Sequence, residues 1–327
     1  GAIRYTVSGS ITDAGTGSNT LETVTVWHGS EEVTDNYLIT KENGTLTVDP
    51  VAITLTAGSG SKDYDGTVLK AGTYSITGGA FVGDEGLEKV TVIGSQTVPG
   101  SSANTITAHV LKDNTKAQNY TITYSDGTLT VKQLEGEARI GITIRADSDE
   151  KTYDGSPLTN SAVTVTSGSL LTGDTLVATA TGSATDVADT ATGNNPIAAG
   201  YKIMHGDEDV TANYAITTEA GTLTINPKAV TVTAKSEAFT YDGNAHSNAG
   251  YDVDGLVGED AISAVVTGSI TFPSESPVTN TLTSYEFTTG TPGNYSVTTA
   301  NGQLTMTNAE VAITITAASQ TWTYDGG

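Results

Sequence analysis

The chain has 327 residues, with 14 Lys and Arg against 37 Asp and Glu and a formal net charge of -23 at pH 7, a balance that repels phosphate backbones and anionic headgroups and sets nucleic acid aside as a partner. Cysteine is absent, which excludes disulfides and thiolate metal sites. No apolar run of about 18 residues is present and the start lacks the basic and apolar regions of a signal peptide, so no membrane insertion is expected within this stretch, which reads as a fragment of a longer chain.

Only 16% of residues are charged and 37 are Gly, with Thr at many positions, which is the chemistry of strands and turns. Residues 1–49 hold a Gly-Ser-x-Thr phrase at Gly9 and then "DNYLITKENGTLTV", with Asn36 and Tyr37 at its head. This is the back part of a repeat whose full form follows. Residues 50–132 open with "AITLTAGSGSKDYDG", where Ile53 and Leu55 share one face and Thr54 and Thr56 the other, the pattern of a half-buried strand. Tyr64-Asp65-Gly66 then makes a turn, because Gly adopts positive φ without a Cβ clash. Gly83-Asp84, a strand ending at Gly94, the strand "ANTITAHVL" and the pair Asn119-Tyr120 complete the unit.

Residues 133–227 begin with a longer joint, "VKQLEGEAR", and repeat the scheme through Tyr153-Asp154-Gly155, Gly173-Asp174, Gly182 and Asn213-Tyr214. Residues 228–308 repeat it through Tyr241-Asp242-Gly243, Gly258-Glu259-Asp260, Gly268 and Asn294-Tyr295. Residues 309–327, "AITITAASQTWTYDG" and its flanks, are the first strand of a following repeat and end near Tyr324-Asp325-Gly326. Recurrence about every 85 residues suits small domains in tandem.

Each Asn-Tyr phrase reads as a hairpin turning at Asn-Gly or its equivalent, with Tyr37, Ile39, Leu46 and Val48 on one side. Burying about four such side chains contributes roughly 6 to 12 kcal/mol gross, and ordering a dozen residues costs at least as much. A second sheet must therefore cover it. About seven short strands per repeat predict an all-β chain of tandem Ig-like sandwiches forming an elongated rod. A β-grasp repeat stays open as the alternative, with a short helix in "TVLKAGTYS" or "SPLTNSAVT". Pro in "VDPVA" and "NPKAV" stiffens those joints, and "VKQLEGEAR" is expected to bend most.

The order "VTVTA...YDG...GD...G(S)xT...VTxNYxIT...GTLTV" resembles the YDG or MBG type repeats, grouped with bacterial Ig-like domains, of large cell-surface and adhesin-like proteins. That resemblance implies a non-enzymatic extracellular stalk or adhesin segment, anchored through regions outside this stretch, and it brings no catalytic residues. A glycan- or mucin-binding module, or accessory domains of a secreted glycan-degrading enzyme, are alternatives. A host glycan or protein is the possible partner.

Candidate chemistry is sparse. His28 and His205 precede Gly and read as exposed or lightly packed turn residues, and neither they nor His109 and His246 show a zinc spacing. Asp207, Asp209 and Asp260 could offer oxygens to calcium, against the plainer reading of solvated turn acids, so no cofactor is expected. Lys62 and Lys151 are positioned three before the YDG aspartate, but Phe239 and Trp322 take that place elsewhere, which favours side chains packing their stems over an obligatory cross-link. The YDG and Asn-Tyr tyrosines are expected to pack at sheet corners with their hydroxyls bonded to backbone, in preference to forming a sugar platform. A monomer is expected. The C-terminal strand could instead complete the first repeat of a neighbouring molecule.

Overall fold

The computed structural model describes residues 1–326. The chain is all-β: the only helical segments among these residues are 3-10 turns of three residues. It divides into two compact units, one of Gly1–Ile142, Ser167–Val177 and Lys202–Ile216, the other of Thr143–Thr166, Ala178–Tyr201 and Thr217–Gly327.

The first unit contains the second repeat. In one sheet the alternating strand Val51–Ala57 is central, antiparallel to Tyr74–Gly78 and parallel to Tyr120–Ser125. In the other, Gly60–Asp63 runs parallel to Gly127–Lys132, which pairs antiparallel with Gly100–Leu111, itself paired with Leu87–Ile93. Alternation decides what the central strand buries. Ile53, Leu55 and Ala57 are 0, 0 and 3% exposed, while Thr54 lies on the other face within 3.2 Å of Thr123 Oγ1. Ile106 and Tyr120 join them in one apolar cluster, with Phe81, Leu87, Val90 and Val92 packed around it, so both sheets contribute to a single core.

The Asn-Tyr phrase is not a hairpin. Tyr120–Ser125 and Gly127–Lys132 are separated by one residue, Asp126, yet belong to different sheets, so the chain steps from one layer to the other. The two preceding strands, Val51–Ala57 and Gly60–Asp63, make the same step, and the two arches stack in parallel register. The glycine at the crossing is there for close approach. A Cβ on Gly127 would lie well inside 3.0 Å of the carbonyl oxygens of Ala57 and Gly58.

Residues 1–49 lack the front strands of this plan. Gly15–His28 pairs with Ala2–Ser8, Glu31–Glu32 and Gly44–Val48. Residues 37–43 form no strand, and Tyr37 is 58% exposed. The cause is visible in the second repeat, where the equivalent Tyr120–Ser125 pairs with one strand only, the front strand Val51–Ala57. The first unit also holds Asp174–Val177, paired antiparallel with Lys202–His205, which pairs in turn with Glu208–Asp209.

The joint 133–139 in this unit, the stretch predicted to bend most, is tied at both ends. Leu134 N–H donates to Asn213 Oδ1 at 2.9 Å, and the Arg139 guanidinium donates to the Tyr214 carbonyl.

In the second unit Lys228–Ala234 lies between Tyr251–Asp254 and the parallel strand Tyr295–Ala300, and Glu237–Thr240, Gly302–Thr307, Val278–Thr289 and Ala261–Thr267 form the opposing order. Asp149–Thr152 runs parallel to Leu223–Asn226. Val230, Val232, Ile262 and Tyr295 form one core cluster, and Ile270, Leu304 and Met306 another. Gly221 and Gly302 repeat the close approach of Gly127, against the carbonyls of Ala146 and Asp147 and of Ala234 and Lys235. The segments offered as a short helix are not helical: each carries a single bridge, Leu69 with Gln96 and Leu158 with Ala184.

Candidate functional site

Buried polar groups gather at one recurring corner. In the second, third and fourth repeats a four-residue turn, 82–85, 171–174 and 257–260, closes by a backbone hydrogen bond from its last N–H to its first carbonyl, at 3.1, 3.0 and 3.1 Å. The buried tyrosine of the Asn-Tyr pair points its hydroxyl into that turn. The first N–H, of Val82, Leu171 or Val257, donates to the phenol oxygen of Tyr120, Tyr214 or Tyr295 at 3.0, 2.9 and 3.2 Å. The phenol donates to the carboxylate of the last residue: Glu85, Asp174 at 2.6 Å, or Asp260. Burial, and then the adjacent carboxylate, push all three phenols up, Tyr295 to about 12. The carboxylate stands at the end of the turn, not at a fixed distance from its glycine, so a reading keyed on Gly-Asp picks the wrong residue in the second repeat, Asp84 in place of Glu85.

The YDG tyrosine leaves its own repeat to reach the next corner. Tyr64 N–H is held by the Lys132 carbonyl at 2.9 Å, and its side chain, 2% exposed, donates from the hydroxyl to Asp174 Oδ1 at 2.5 Å. His205 Nδ1 lies 2.7 Å from the same oxygen. The fully buried Asp174 carboxylate is therefore surrounded by two phenols and an imidazole, and burial followed by the Asp174 bond raises the Tyr64 pKa far beyond its ordinary value. His205, expected as an exposed or lightly packed turn residue, is part of this cluster because the strand Lys202–His205 ends beside it; His28 is exposed. In the second unit Tyr153, held by the Asn226 carbonyl at 2.9 Å, meets the next corner differently: its ring stands edge-on to Tyr295 at 5.4 Å and, like Leu256 and Val257, packs against the cluster that includes Tyr295. Tyr241 packs within its own repeat near Phe272, while Tyr324 is exposed.

The asparagine of the same Asn-Tyr pair faces backwards. Asn213 Oδ1 accepts from Leu134 N–H. Asn294 Oδ1 accepts from Val187 N–H at 2.9 Å and its Nδ2 donates to Asp186 Oδ1 at 2.6 Å. Asn119 accepts from Ala14 N–H at 2.7 Å and donates to Asp13 Oδ1 at 3.0 Å, beside a Lys116–Asp13 ion pair at 2.6 Å. In each case the partner lies in the repeat before, or in the joint leading from it. Asn36 is exposed.

The YDG aspartates do local work. Asp65, Asp154 and Asp242 each accept the N–H two residues on, of Thr67, Ser156 and Asn244, at 2.9 Å. The glycines Gly66, Gly155 and Gly243 carry the expected positive φ of 75, 78 and 89°. Lys62 and Lys151 are more than packing stems: they pair with Asp65 and Asp154 at 2.5 and 2.7 Å. Where Phe239 replaces lysine, its ring stacks on His246 at 4.6 Å, and His246 Nε2 takes over the aspartate contact at 3.0 Å. Asp65 is held near 2, chiefly by Lys62, and Asp242 near 2, chiefly by the Asn244 amide.

Two of the three calcium candidates are otherwise engaged. Asp209 accepts from Thr211 N–H and Oγ1 at 3.0 and 2.6 Å and pairs with Lys202 at 3.1 Å; Asp260 belongs to the Tyr295 corner; Asp207 lies exposed on a turn. Among the described residues no group of three or more His, Cys, Asp or Glu is placed to hold a metal.

One structural set has no counterpart in the motif reading. The buried Asn104, Asn195 and Asn280 each donate from Nδ2 to two loop carbonyls: Gly58 and Ala71, Asp147 and Asn160, Lys235 and Asn248, at 2.6 to 2.9 Å. The glycine of each Gly-Ser-x-Thr phrase, Gly94, Gly182 or Gly268, abuts this asparagine, where a Cβ would collide with Oδ1. The available signal was the Asn within "ANT" and "TNT". Comparison with protein-family models gives no match, and comparison with curated proteins gives none either.

Proposed function

We propose that this chain is a non-enzymatic spacer of a bacterial surface protein: tandem Ig-like two-sheet repeats, locked in series as an extended rod, that project another region from the cell. The two-way use of the Asn-Tyr pair carries the reading. Its tyrosine completes a corner that receives the YDG tyrosine of the repeat before, and its asparagine grips a loop of that same preceding repeat or its joint. Polar groups that would serve catalysis elsewhere are consumed in these contacts, as at Asp174, which three donors surround. The motif order that resembles cell-surface repeats supports an extracellular setting, and the charge of -23 supports a well-solvated segment.

Small-angle scattering tests the reading. An extended particle is expected, shortening in proportion when the fourth repeat is removed. A compact particle would overturn the spacer, and specific glycan binding by the chain itself on an array would replace it with an adhesive module.

A further inference from the structure

Asp174 collects more donors than its corner requires. The corners at Glu85 and Asp260 close with one phenol each, and in the fourth repeat Gly290, with no side chain at all, stands against the Asp260 carboxylate. Tyr153 keeps its seat by ring contact with Tyr295, so a joint does not need a hydroxyl bond either. In the third repeat the carboxylate takes the Tyr64 hydroxyl at 2.5 Å and His205 Nδ1 at 2.7 Å, both on Oδ1. The turn 171–174 and its tyrosine are complete without them, so closing the corner does not account for this pair.

Asp174 Oδ1, the Tyr64 oxygen and His205 Nδ1 form a triangle with edges of 2.5, 2.7 and 3.4 Å. Ligands about 2.0 to 2.1 Å from a metal and at right angles to one another lie about 2.8 to 3.0 Å apart, a spacing these edges bracket. The three atoms thus stand as one face of an octahedron, and they come from three separate segments of the chain. The shell behind them is built as well. Oδ2, the other oxygen of the carboxylate, accepts the Tyr214 hydroxyl at 2.6 Å, and that phenol is fixed in turn by the Leu171 N–H at 2.9 Å. Carboxylates held in this way are the ones that present a fixed oxygen to a metal. The Asp174 side chain is fully buried and Tyr64 nearly so, whereas the imidazole is 21% exposed and gives the way in.

We infer that Tyr64, Asp174 and His205 form a binding site for ferric iron, with a phenolate, a carboxylate and an imidazole as its protein ligands and water on the remaining positions. The donors select the ion. A phenol keeps its proton at neutral pH, so an ion that takes the proton's place must be a strong Lewis acid. Phenolate and carboxylate are hard anionic oxygens, which suit a small trivalent cation, and imidazole is a good ligand for iron. The net charge of -23 draws cations to the chain as a whole. On binding, the Tyr64 proton leaves to solvent, the imidazole takes the tautomer protonated at Nε2 and offers the Nδ1 lone pair, and no electron is transferred. The bound ion staples the YDG tyrosine of the second repeat to the corner of the third. The site stands on the geometry of one corner and does not depend on the chain being an extended spacer.

Titration of the full 33.4 kDa chain with ferric nitrilotriacetate tests it. One ion per chain is expected, with a visible phenolate-to-iron charge-transfer band that the chelate alone lacks, and with hydrogen exchange slowed at least tenfold in peptides spanning 171–174 and 203–210. Tyr64→Phe should abolish the band. His205→Ala, changed at a partly exposed position, should weaken binding at least tenfold while exchange in the fourth repeat stays as in the parent chain. Tyr153→Phe should bind iron as the parent does. Absence of the band overturns the inference, and so does a band that survives both Tyr64→Phe and His205→Ala. Iron held without slower exchange in the two peptides is iron on surface carboxylates and overturns it equally. Zinc or calcium slowing exchange there where ferric iron does not would overturn the choice of ion.

Discussion

Tyr64→Phe isolates the polar part of a joint. The ring is 2% exposed and its packing survives the change; what disappears is the hydroxyl bond to Asp174 Oδ1 at 2.5 Å. Hydrogen bonds to an ionised partner contribute about 1.5 to 3 kcal/mol. Asp174 keeps Tyr214 and His205, so the loss stays in that range and below the roughly 3 to 5 kcal/mol expected when a buried charge is stripped of its partner. Tyr153→Phe is the control, since Tyr153 meets its corner through ring contact with Tyr295 at 5.4 Å, and a change within about 0.5 kcal/mol is expected. A series of repeats has no single unfolding free energy, so the readout must be local. Native-state hydrogen exchange should show peptides spanning 171–174 and 203–210 opening about ten- to hundredfold more often in Tyr64→Phe, at about 1.4 kcal/mol per factor of ten. A Tyr64–Asp174 double-mutant cycle should return a coupling of the same size. Unchanged protection in Tyr64→Phe, or an equal loss in Tyr153→Phe, would refute the assignment of the joint's strength to the buried carboxylate.

Gly221→Ala should destabilise its repeat locally by about 1 to 3 kcal/mol or more, because the carbonyls of Ala146 and Asp147 lie against it, whereas Gly141→Ala, with nothing within 4 Å, should be neutral or slightly stabilising; native-state hydrogen exchange of the peptides around each glycine separates the two. Asn280→Ala removes donors to the Lys235 and Asn248 carbonyls and should cost about 1 to 3 kcal/mol by the same exchange measurement on peptides around those loops. Asp65 and Asp242 have folded pKa values near 2, below the ~3.9 of an unfolded aspartate, so their contribution is complete above about pH 4 and is lost as pH falls towards 2. Asp65→Asn should flatten part of the melting temperature's slope across that window. The corner phenols titrate in the opposite sense. Their folded pKa values lie above the unfolded value near 10, so their stabilisation is complete below pH 10 and is lost as pH rises through the folded values, about 12 for Tyr295. Tyrosinate absorbance should therefore rise in two phases, the second coinciding with unfolding.

Periodicity of two made the faces legible and left the partners open. "AITLTA" states which residues are buried, and Ile53 and Leu55 are indeed at 0% exposure. It does not state which strand lies beside them. A hairpin and an arch both bury alternate residues such as Tyr120, Leu129 and Val131, so the apolar pattern of the closing phrase is satisfied either way. The Asp-Gly at 126–127 is a strong hairpin signal, yet that glycine shows no positive φ and serves the packing of two crossing backbones. The corner escaped a motif reading for another reason. Its acid is defined by the end of a hydrogen-bonded turn, whether that residue is Glu85, Asp174 or Asp260 and whether the glycine stands one or two residues before it. Likewise the exchange of Lys62 for Phe239 looks like a lost contact in a linear comparison, and only the stacking of Phe239 on His246 shows the aspartate's side-chain partner being resupplied from four residues beyond it.

The joints at Tyr64 and Tyr153 show what the repeat holds constant. One ends in a charge-assisted hydrogen bond to a buried carboxylate and the other in an edge-to-face ring contact, but both place the phenol ring at the neighbour's tyrosine-acid corner. Position is kept while chemistry varies. Such a joint couples each repeat to the next. Unfolding the second repeat withdraws Tyr64 and leaves Asp174 with one partner fewer inside the third, so the cost of opening one repeat includes damage to its neighbour. Nearest-neighbour terms of this kind oppose the loss of repeats one at a time.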